Sequence, residues 1–95
     1  MNVVFEIKDK TGRKIHLSKE RWSHIRQRHP NVADIEEIEE TLKNPLKIIE
    51  AEEDFVAYYK HFKHRKESAK YLKIIVKYLN GDGYVISSYF VKDML

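Results

Sequence analysis

Two alternating stretches near the end of the chain place the strongest constraint on its fold. Residues 71–79 and 84–91 alternate between apolar and polar or aromatic side chains, a period of two that is typical of β-strands. The four residues between them, Asn80-Gly81-Asp82-Gly83, are strong turn formers and predict a hairpin. The rest of the fold is therefore expected to be organised around an antiparallel sheet.

The remaining elements are predicted in the order strand, strand, helix, helix and then further strands. The strands span 3–8, 14–17, 46–50 and 55–62, and the helices span 19–29 and 34–42, each ended by a proline. Ninety-five residues fit one domain, 1–95. We predict an α+β domain in which an N-terminal hairpin and two helices pack on a four-stranded antiparallel sheet, leaving its other face for a ligand.

The predicted register of the last hairpin decides which side chains share that free face. A four-residue turn pairs Lys77 with Ile86 and Lys73 with Phe90. Ser87 and Tyr89 then fall on the core face, and a slip of one residue would exchange the two sets. Lysines beside aromatic rings suit a phosphate held over a stacked base, although lysine stems also cover ordinary solvated faces. The residues predicted to share the free face are Tyr71, Lys73, Lys77 and Ser88.

The net charge of +3 hides a strong segregation along the chain. Residues 8–29 carry eight Lys and Arg against two acids, residues 34–54 carry nine acids against two Lys, and residues 55–79 carry seven Lys and Arg against one Glu. If the two basic segments share a face, that face is positive despite the modest total. The alternative is an ordinary surface rich in Lys and Glu, such as that of a heat-adapted protein.

The first helix carries a second group of candidate residues. His24 and Arg28 are i, i+4 neighbours and can share one anionic ligand. His29 lies at the helix end on the stripe of Trp22, where a histidine usually packs, although histidine is also the natural acid or base near neutral pH.

Several kinds of chemistry are excluded or disfavoured. The chain has no cysteine, which excludes thiol catalysis and disulfides. No histidine pair is joined by a carboxylate at a metal-ligand spacing, and neither a phosphate-binding glycine loop nor a nucleophile elbow is present. We therefore expect no cofactor. RNA cleavage without metal fits the remaining residue types, because the substrate supplies its own 2′-OH as the nucleophile.

Four short motifs stand out in the chain. They are Trp22-x-His24-Ile25-x-x-x-His29-Pro30, Ile38-x-x-Thr41-Leu42-x-x-Pro45, Tyr71-Leu72-Lys73-Ile74-Ile75-Val76-Lys77 and Val85-Ile86-Ser87-Ser88-Tyr89. Together they resemble the phage and toxin branch of the barnase–EndoU–colicin–RelE-like nuclease superfamily. The likeness covers roughly residues 15–92 and implies a small metal-independent RNase with helices before a four-stranded antiparallel sheet.

The resemblance also implies site residues. His24 or His29 would be the catalytic histidine, Lys77 the basic residue on a central strand, and Ser87 the hydroxyl on the last strand, with Tyr89 and Tyr59 nearby. The Ser87-Ser88 pair stands where threonine and a small residue are expected, so the hydroxyl role could fall on either serine. The predicted register places Lys77 and Ser87 on opposite faces, which requires a bulge or a site at the sheet end.

The leading hypothesis is thus a metal-independent endoribonuclease that acts on RNA, with an antitoxin or immunity protein as partner if it is a toxin. Its catalytic candidates are His24, His29, Lys77, Ser87 and Tyr89, and its RNA-binding candidates are Arg28, Tyr59, Tyr71, Lys73 and Ser88. A second hypothesis is a non-catalytic RNA-binding module that uses Tyr58, Tyr59, Tyr71 and Lys73. A third is an interaction protein whose acidic helix, 34–42, docks a basic partner.

No stretch is long and apolar enough for a transmembrane helix, and the charged first residues are not typical of a signal peptide, so we expect a cytoplasmic protein without a membrane partner.

Overall fold

Six strands and two helices form the described part of the protein, a computed structural model that covers residues 3–65 and 67–94. All six strands belong to one sheet. In chain order the elements are β1 Val3–Lys8, β2 Lys14–Ser18, α1 Lys19–Arg28, α2 Ile35–Lys43, β3 Lys47–Glu50, β4 Phe55–His61, β5 Tyr71–Leu79 and β6 Asp82–Val91.

The predicted four-stranded antiparallel sheet is wrong, because the N-terminal hairpin joins the same sheet. The strand order is β1-β2-β6-β5-β4-β3, and β2 pairs with β6 in parallel through Ile15 with Gly83 and His16 with Tyr84. Gly83 permits this close approach, since a Cβ there would lie 2.6 Å from the Cδ1 atom of Ile15. The sheet is therefore mixed, with one parallel pair.

Side-chain caps begin both helices. The Ser18 hydroxyl accepts a hydrogen bond from the Arg21 backbone N–H at 3.0 Å, and the Asp34 carboxylate accepts one from Glu36 at 2.9 Å. The backbone N–H of His29 closes the last turn of α1 by donating to the Ile25 carbonyl at 2.7 Å. The first helix therefore ends immediately before Pro30, as predicted.

The helices cover one face of the sheet, which we call the inner face. The second helix packs on β4 and β5, and the first packs on β2 and β6. The opposite face, which we call the outer face, carries no helix in the described ranges. The fully buried side chains include Ile15, Leu17, Ile25, Val32, Ile38, Thr41, Leu42, Tyr58, Leu72, Ile74, Val76 and Ser88.

The register of the last hairpin differs from the prediction in two ways. The turn has two residues, Asn80 and Gly81, whose φ angles of 53° and 87° have the positive sign that a type I′ turn requires. An irregularity then follows in the ladder, which shifts between Ile75 and Val76. The turn and the bulge together move residues of β6 across the sheet.

This shift corrects the predicted faces. Ser87 pairs with Ile75 and Tyr89 pairs with Lys73, so both lie on the outer face rather than in the core. Ser88 pairs with Ile74 on the inner face and is fully buried, so it is not available to RNA. The bulge also removes the conflict between Lys77 and Ser87, which share the outer face.

Candidate functional site

The outer face carries four rows of side chains across β4, β5 and β6. Each row joins directly paired residues, whose side chains stand side by side. From one end of the sheet to the other, the rows are His61, Tyr71 and Val91; Tyr59, Lys73 and Tyr89; Ala57, Ile75 and Ser87; and Phe55, Lys77 and Tyr84.

Lys73 lies at the centre of this face, between two tyrosines. Its Nζ atom is 5.6 Å from the centre of the Tyr59 ring and 5.7 Å from that of Tyr89. Burial acts to lower the pKa of Lys73, but hydrogen bonding and charge interactions with the two tyrosines outweigh it, and the pKa is raised. Lys73 therefore remains a cation at neutral pH, suited to binding a phosphate.

His29 reaches the same row from the end of α1. The β2 strand pairs with β6 only as far as Tyr84, and α1 packs against the rest of β6. The imidazole of His29 stacks on Tyr89, with ring centres 5.2 Å apart and an interplanar angle of 30°. Within residues 3–65 and 67–94 the imidazole nitrogens have no hydrogen-bond partner, so they are available to a ligand.

Among the described residues, Tyr89 is thus the shared neighbour of His29 and Lys73. Ser87 adds a hydroxyl in the adjacent row. Tyr59 is only 3% exposed, so it supports Lys73 and is not accessible to a stacked base. We call this group, His29, Tyr59, Lys73, Ser87 and Tyr89, the outer-face site.

Lys77 is held away from the outer-face site. Its Nζ atom donates a hydrogen bond to the Glu53 carbonyl at 2.7 Å and lies 4.4 Å from the centre of the Phe55 ring. It stands four residues from Lys73 on one strand, a separation of about 13 Å. Lys73, and not Lys77, therefore contacts the tyrosine on which His29 stacks.

The other candidates on α1 lie apart from this group. His24 is exposed on α1 and lines a shallow polar cavity of about 490 Å³ together with Ser18 and Arg21. Arg28 is exposed in the last turn of the same helix. In the described part of the chain, neither His24 nor Arg28 contacts Lys73 or Tyr89.

Two tyrosines named for RNA stacking have different positions. Tyr58 is fully buried on the inner face, where its hydroxyl donates to Asp9, so the expectation that it contacts RNA is wrong. Tyr71 lies on the outer face at the end of the sheet and packs against His61, with ring centres 5.0 Å apart.

Sequence reasoning missed an apolar pocket next to Lys73. The cavity measures about 730 Å³ and its floor combines residues from β4, β5 and β6, chiefly Phe55, Ala57, Ile75 and Ile86. A pocket of this size and lining beside a cation can take an aromatic base whose phosphate contacts Lys73. The sequence did not indicate this pocket, because the predicted register paired Ile86 with Lys77 instead of placing it in the pocket lining.

Comparisons with protein-family models, with curated proteins and with solved structures found no match for this chain. Among the residues that the structure describes, no three histidine or acidic side chains are grouped so that they could hold a metal ion. No helix in residues 3–65 and 67–94 has the length and apolar character needed to cross a membrane. The interpretation of the outer-face site therefore depends on its own geometry.

Proposed function

We propose that this protein is a metal-independent endoribonuclease that cleaves RNA at the outer-face site. The observation that carries the proposal is the row in which His29 and Lys73 both contact Tyr89. It joins a histidine, the usual general acid or base in catalysis, and a cationic lysine through one tyrosine ring, on a sheet face that carries no helix among the described residues.

The proposed reaction uses the 2′-OH of the substrate as its nucleophile. His29 takes the proton of this hydroxyl while the 2′-oxygen forms a bond to phosphorus. The bond from phosphorus to the 5′-oxygen breaks, and Lys73 donates a proton to this leaving oxygen. The products are a 2′,3′-cyclic phosphate and a free 5′-OH. Solvent then returns the proton of His29 to Lys73.

The surroundings of Lys73 support a role in charge stabilisation. A cation held between two tyrosines is positioned before the substrate arrives, so it can stabilise the charge that develops on the phosphoryl oxygens. The hydroxyl of Ser87, in the next row, is suited to orienting one of these oxygens. The apolar pocket beside Lys73 would hold the adjacent base.

The distribution of charge also supports an RNA substrate. The second basic segment contributes Lys73 and Lys77 to the outer face. The acidic α2 packs on β4 and β5 from the inner face. A polyanion would therefore approach the outer face with less repulsion.

The test is to incubate the purified protein with single-stranded RNA in the presence of EDTA. We expect cleavage with cyclic phosphate ends, and a loss of about 100-fold or more in rate for His29→Ala and for Lys73→Met. The matched controls are His64→Ala, which changes an exposed histidine bound to Glu37, and Lys43→Met, which changes an exposed lysine at the end of α2. Intact RNA at high protein concentration, or equal activity in His29→Ala, would reject the proposal.

A non-catalytic RNA-binding module is the second candidate. The observation that favours it is that His29 is the one histidine in contact with the central row among the described residues, so Lys73 has to serve as the acid. This candidate predicts that RNA is bound but not cleaved, and that His29→Ala leaves the affinity unchanged. The same pair of variants therefore separates the two functions.

A further inference from the structure

We propose that Tyr84 and Arg21 form a second RNA-binding subsite, which takes one base and one phosphate of the substrate outside the bond that is cleaved. We call it the Tyr84–Arg21 subsite. The inference rests on the proposed function for its substrate, and it makes single-stranded RNA, several nucleotides long, the preferred ligand.

Tyr84 is an exposed aromatic ring in a fixed position. It is 40% exposed on the outer face, and it stacks on His16 with ring centres 4.8 Å apart and an interplanar angle of 13°. An exposed ring that is already ordered loses little conformational entropy when a base stacks on it. Base stacking on such rings is the usual means by which proteins hold single strands.

His16 is in turn held by two carboxylates on neighbouring strands. Its Nδ1 atom is 3.0 Å from a Glu6 oxygen on β1, and its Nε2 atom is 3.1 Å from an Asp82 oxygen on β6. The His16 side chain is 14% exposed. Because both ring nitrogens are engaged, His16 is not free to act on a substrate, and its contribution is to fix the Tyr84 ring.

Arg21 supplies a cation to the cavity that Tyr84 lines. This cavity has a volume of about 440 Å³ and also includes Ser18, Val85 and Ile86. Within the described part of the chain, the Arg21 guanidinium forms no ion pair with a carboxylate. A guanidinium without a carboxylate partner and an ordered aromatic ring in one cavity match the phosphate and base of one nucleotide.

The subsite is continuous with the outer-face site. Ile86 lines both the Tyr84 cavity and the apolar pocket that contains Lys73. Tyr84 and Tyr89 pair with Lys77 and Lys73, so they lie about 13 Å apart along the sheet. A single strand can span this distance along the surface and present its bases one at a time, whereas the bases of a duplex are already stacked on each other.

The experiment measures binding and cleavage separately. Binding of a hexanucleotide and of a dinucleotide is followed by fluorescence anisotropy, with a 2′-O-methyl group at every ribose so that neither can be cleaved. We expect Tyr84→Ala to weaken hexanucleotide binding by about 5- to 100-fold and to leave the affinity for the dinucleotide within twofold of the wild type. Tyr84→Phe keeps the ring and should bind both ligands like the wild type. Arg21→Met should weaken hexanucleotide binding. It should also lower by about 0.7 the slope of the logarithm of the dissociation constant against the logarithm of salt concentration.

Leu79→Ala is the matched control, because Leu79 is another apolar residue of the same hairpin and is 52% exposed. Thermal unfolding midpoints of all variants establish that they are folded, and Arg21→Met tests the subsite even if Tyr84→Ala does not fold. Equal hexanucleotide affinity in wild type and in whichever of these variants folds would overturn the subsite. Weaker binding in these variants with no cleavage of natural RNA would support the subsite and reject the nuclease.

Discussion

At the scale of single residues, Asp9 links the N-terminal hairpin to the strands that carry the site. One of its carboxylate oxygens accepts hydrogen bonds from the Thr11 N–H, the Thr11 hydroxyl and the Arg13 N–H, at 2.9, 2.7 and 2.9 Å. The other accepts from the hydroxyls of Tyr58 and Tyr78. Asp9 therefore connects the β1–β2 turn to both β4 and β5.

These hydrogen bonds make stability depend on acid pH. Burial alone would raise the pKa of Asp9, but the bonds from Tyr58, Thr11 and Arg13 outweigh it and lower the pKa. The stabilisation is fully present above the pKa of the unfolded chain and is lost as pH falls through the lower folded pKa, below about pH 4. We expect Asp9→Asn to reduce the free energy of unfolding by about 1–3 kcal/mol at pH 7.

Urea unfolding at a series of pH values is the measurement. The difference between wild type and Asp9→Asn should shrink as the pH falls below about 4, because only the wild type loses the ionised carboxylate. Thr11→Val serves as the smaller comparison, since it removes a single donor. A difference that stays constant over this pH range would contradict the assignment.

At the scale of single residues, the sequence predicts which turn or strand a residue belongs to better than it predicts which distant side chain the residue contacts. The turn at Asp9 and the strand at Tyr58 follow from local patterns. Nothing local shows that the two side chains meet, because they are 49 residues apart and the contact depends on how the N-terminal hairpin joins the sheet. His29 and Tyr89 illustrate the same limit, since each was a candidate and only the fold brings them together.

At the scale of elements, Gly83 of β6 lies close to side chains of both neighbouring strands, β2 and β5. A Cβ on Gly83 would lie 2.6 Å from Ile15, 2.8 Å from Val76 and 2.9 Å from Tyr78. We expect Gly83→Ala to destabilise the protein by about 1–3 kcal/mol, since the surrounding core has to move.

The check on this clash is a double-mutant cycle. Ile15→Val removes the Cδ1 atom that lies closest to the new methyl group, so the double variant should recover part of the stability lost by Gly83→Ala. Thermal unfolding of the four proteins measures the coupling. Strictly additive losses would show that the new methyl group at position 83 does not clash with the Ile15 side chain.

The β5–β6 hairpin shows why a strand can be predicted without its register. The alternating pattern gives the strands, but Asn80-Gly81-Asp82-Gly83 is compatible with loops of two or four residues. The structure has the two-residue turn, and an irregularity follows at Ile75 and Val76 that no local pattern indicates. Ser87 and Ser88 exchange faces as a result.

At the scale of the whole molecule, the acidic residues of α2 and the lysine of the outer-face site have different partners. Two glutamates of α2 are already paired within the chain, Glu37 with His64 and Arg65 and Glu40 with Lys60. The outer face instead presents Lys73 between its two tyrosines. RNA affinity should therefore depend strongly on salt.

We expect the logarithm of the RNA dissociation constant to rise linearly with the logarithm of salt concentration. Each phosphate contact contributes a slope of about 0.7 for a single strand, so Lys73→Met should lower the slope by about this amount. Lys43→Met, on the helix side, should leave it unchanged. Anisotropy titrations between 50 and 300 mM salt measure both slopes, and equal slopes in wild type and Lys73→Met would show that Lys73 contacts no phosphate.

The placement of both helices on one side of a sheet could be predicted from the sequence, but the six-stranded, mixed sheet could not. The order of elements and the position of the acidic helix follow from periodicity, capping residues and prolines. The pairing of β2 with β6 joins segments far apart in the chain through only two residue pairs, and no local pattern indicates it. The edge of β6 that admits His29 depends on this pairing.

The position of β6 has a consequence for when activity can arise during folding. It follows all other strands in the chain, yet it lies between β2 and β5. Contacts between distant segments form slowly, because loop closure costs entropy before the contacts compensate for it. A chain in which β6 has not inserted has no Tyr89 beside either His29 or Lys73. Under the proposed function, an incompletely folded chain is therefore harmless to RNA, and cleavage begins only when the last strand is in place.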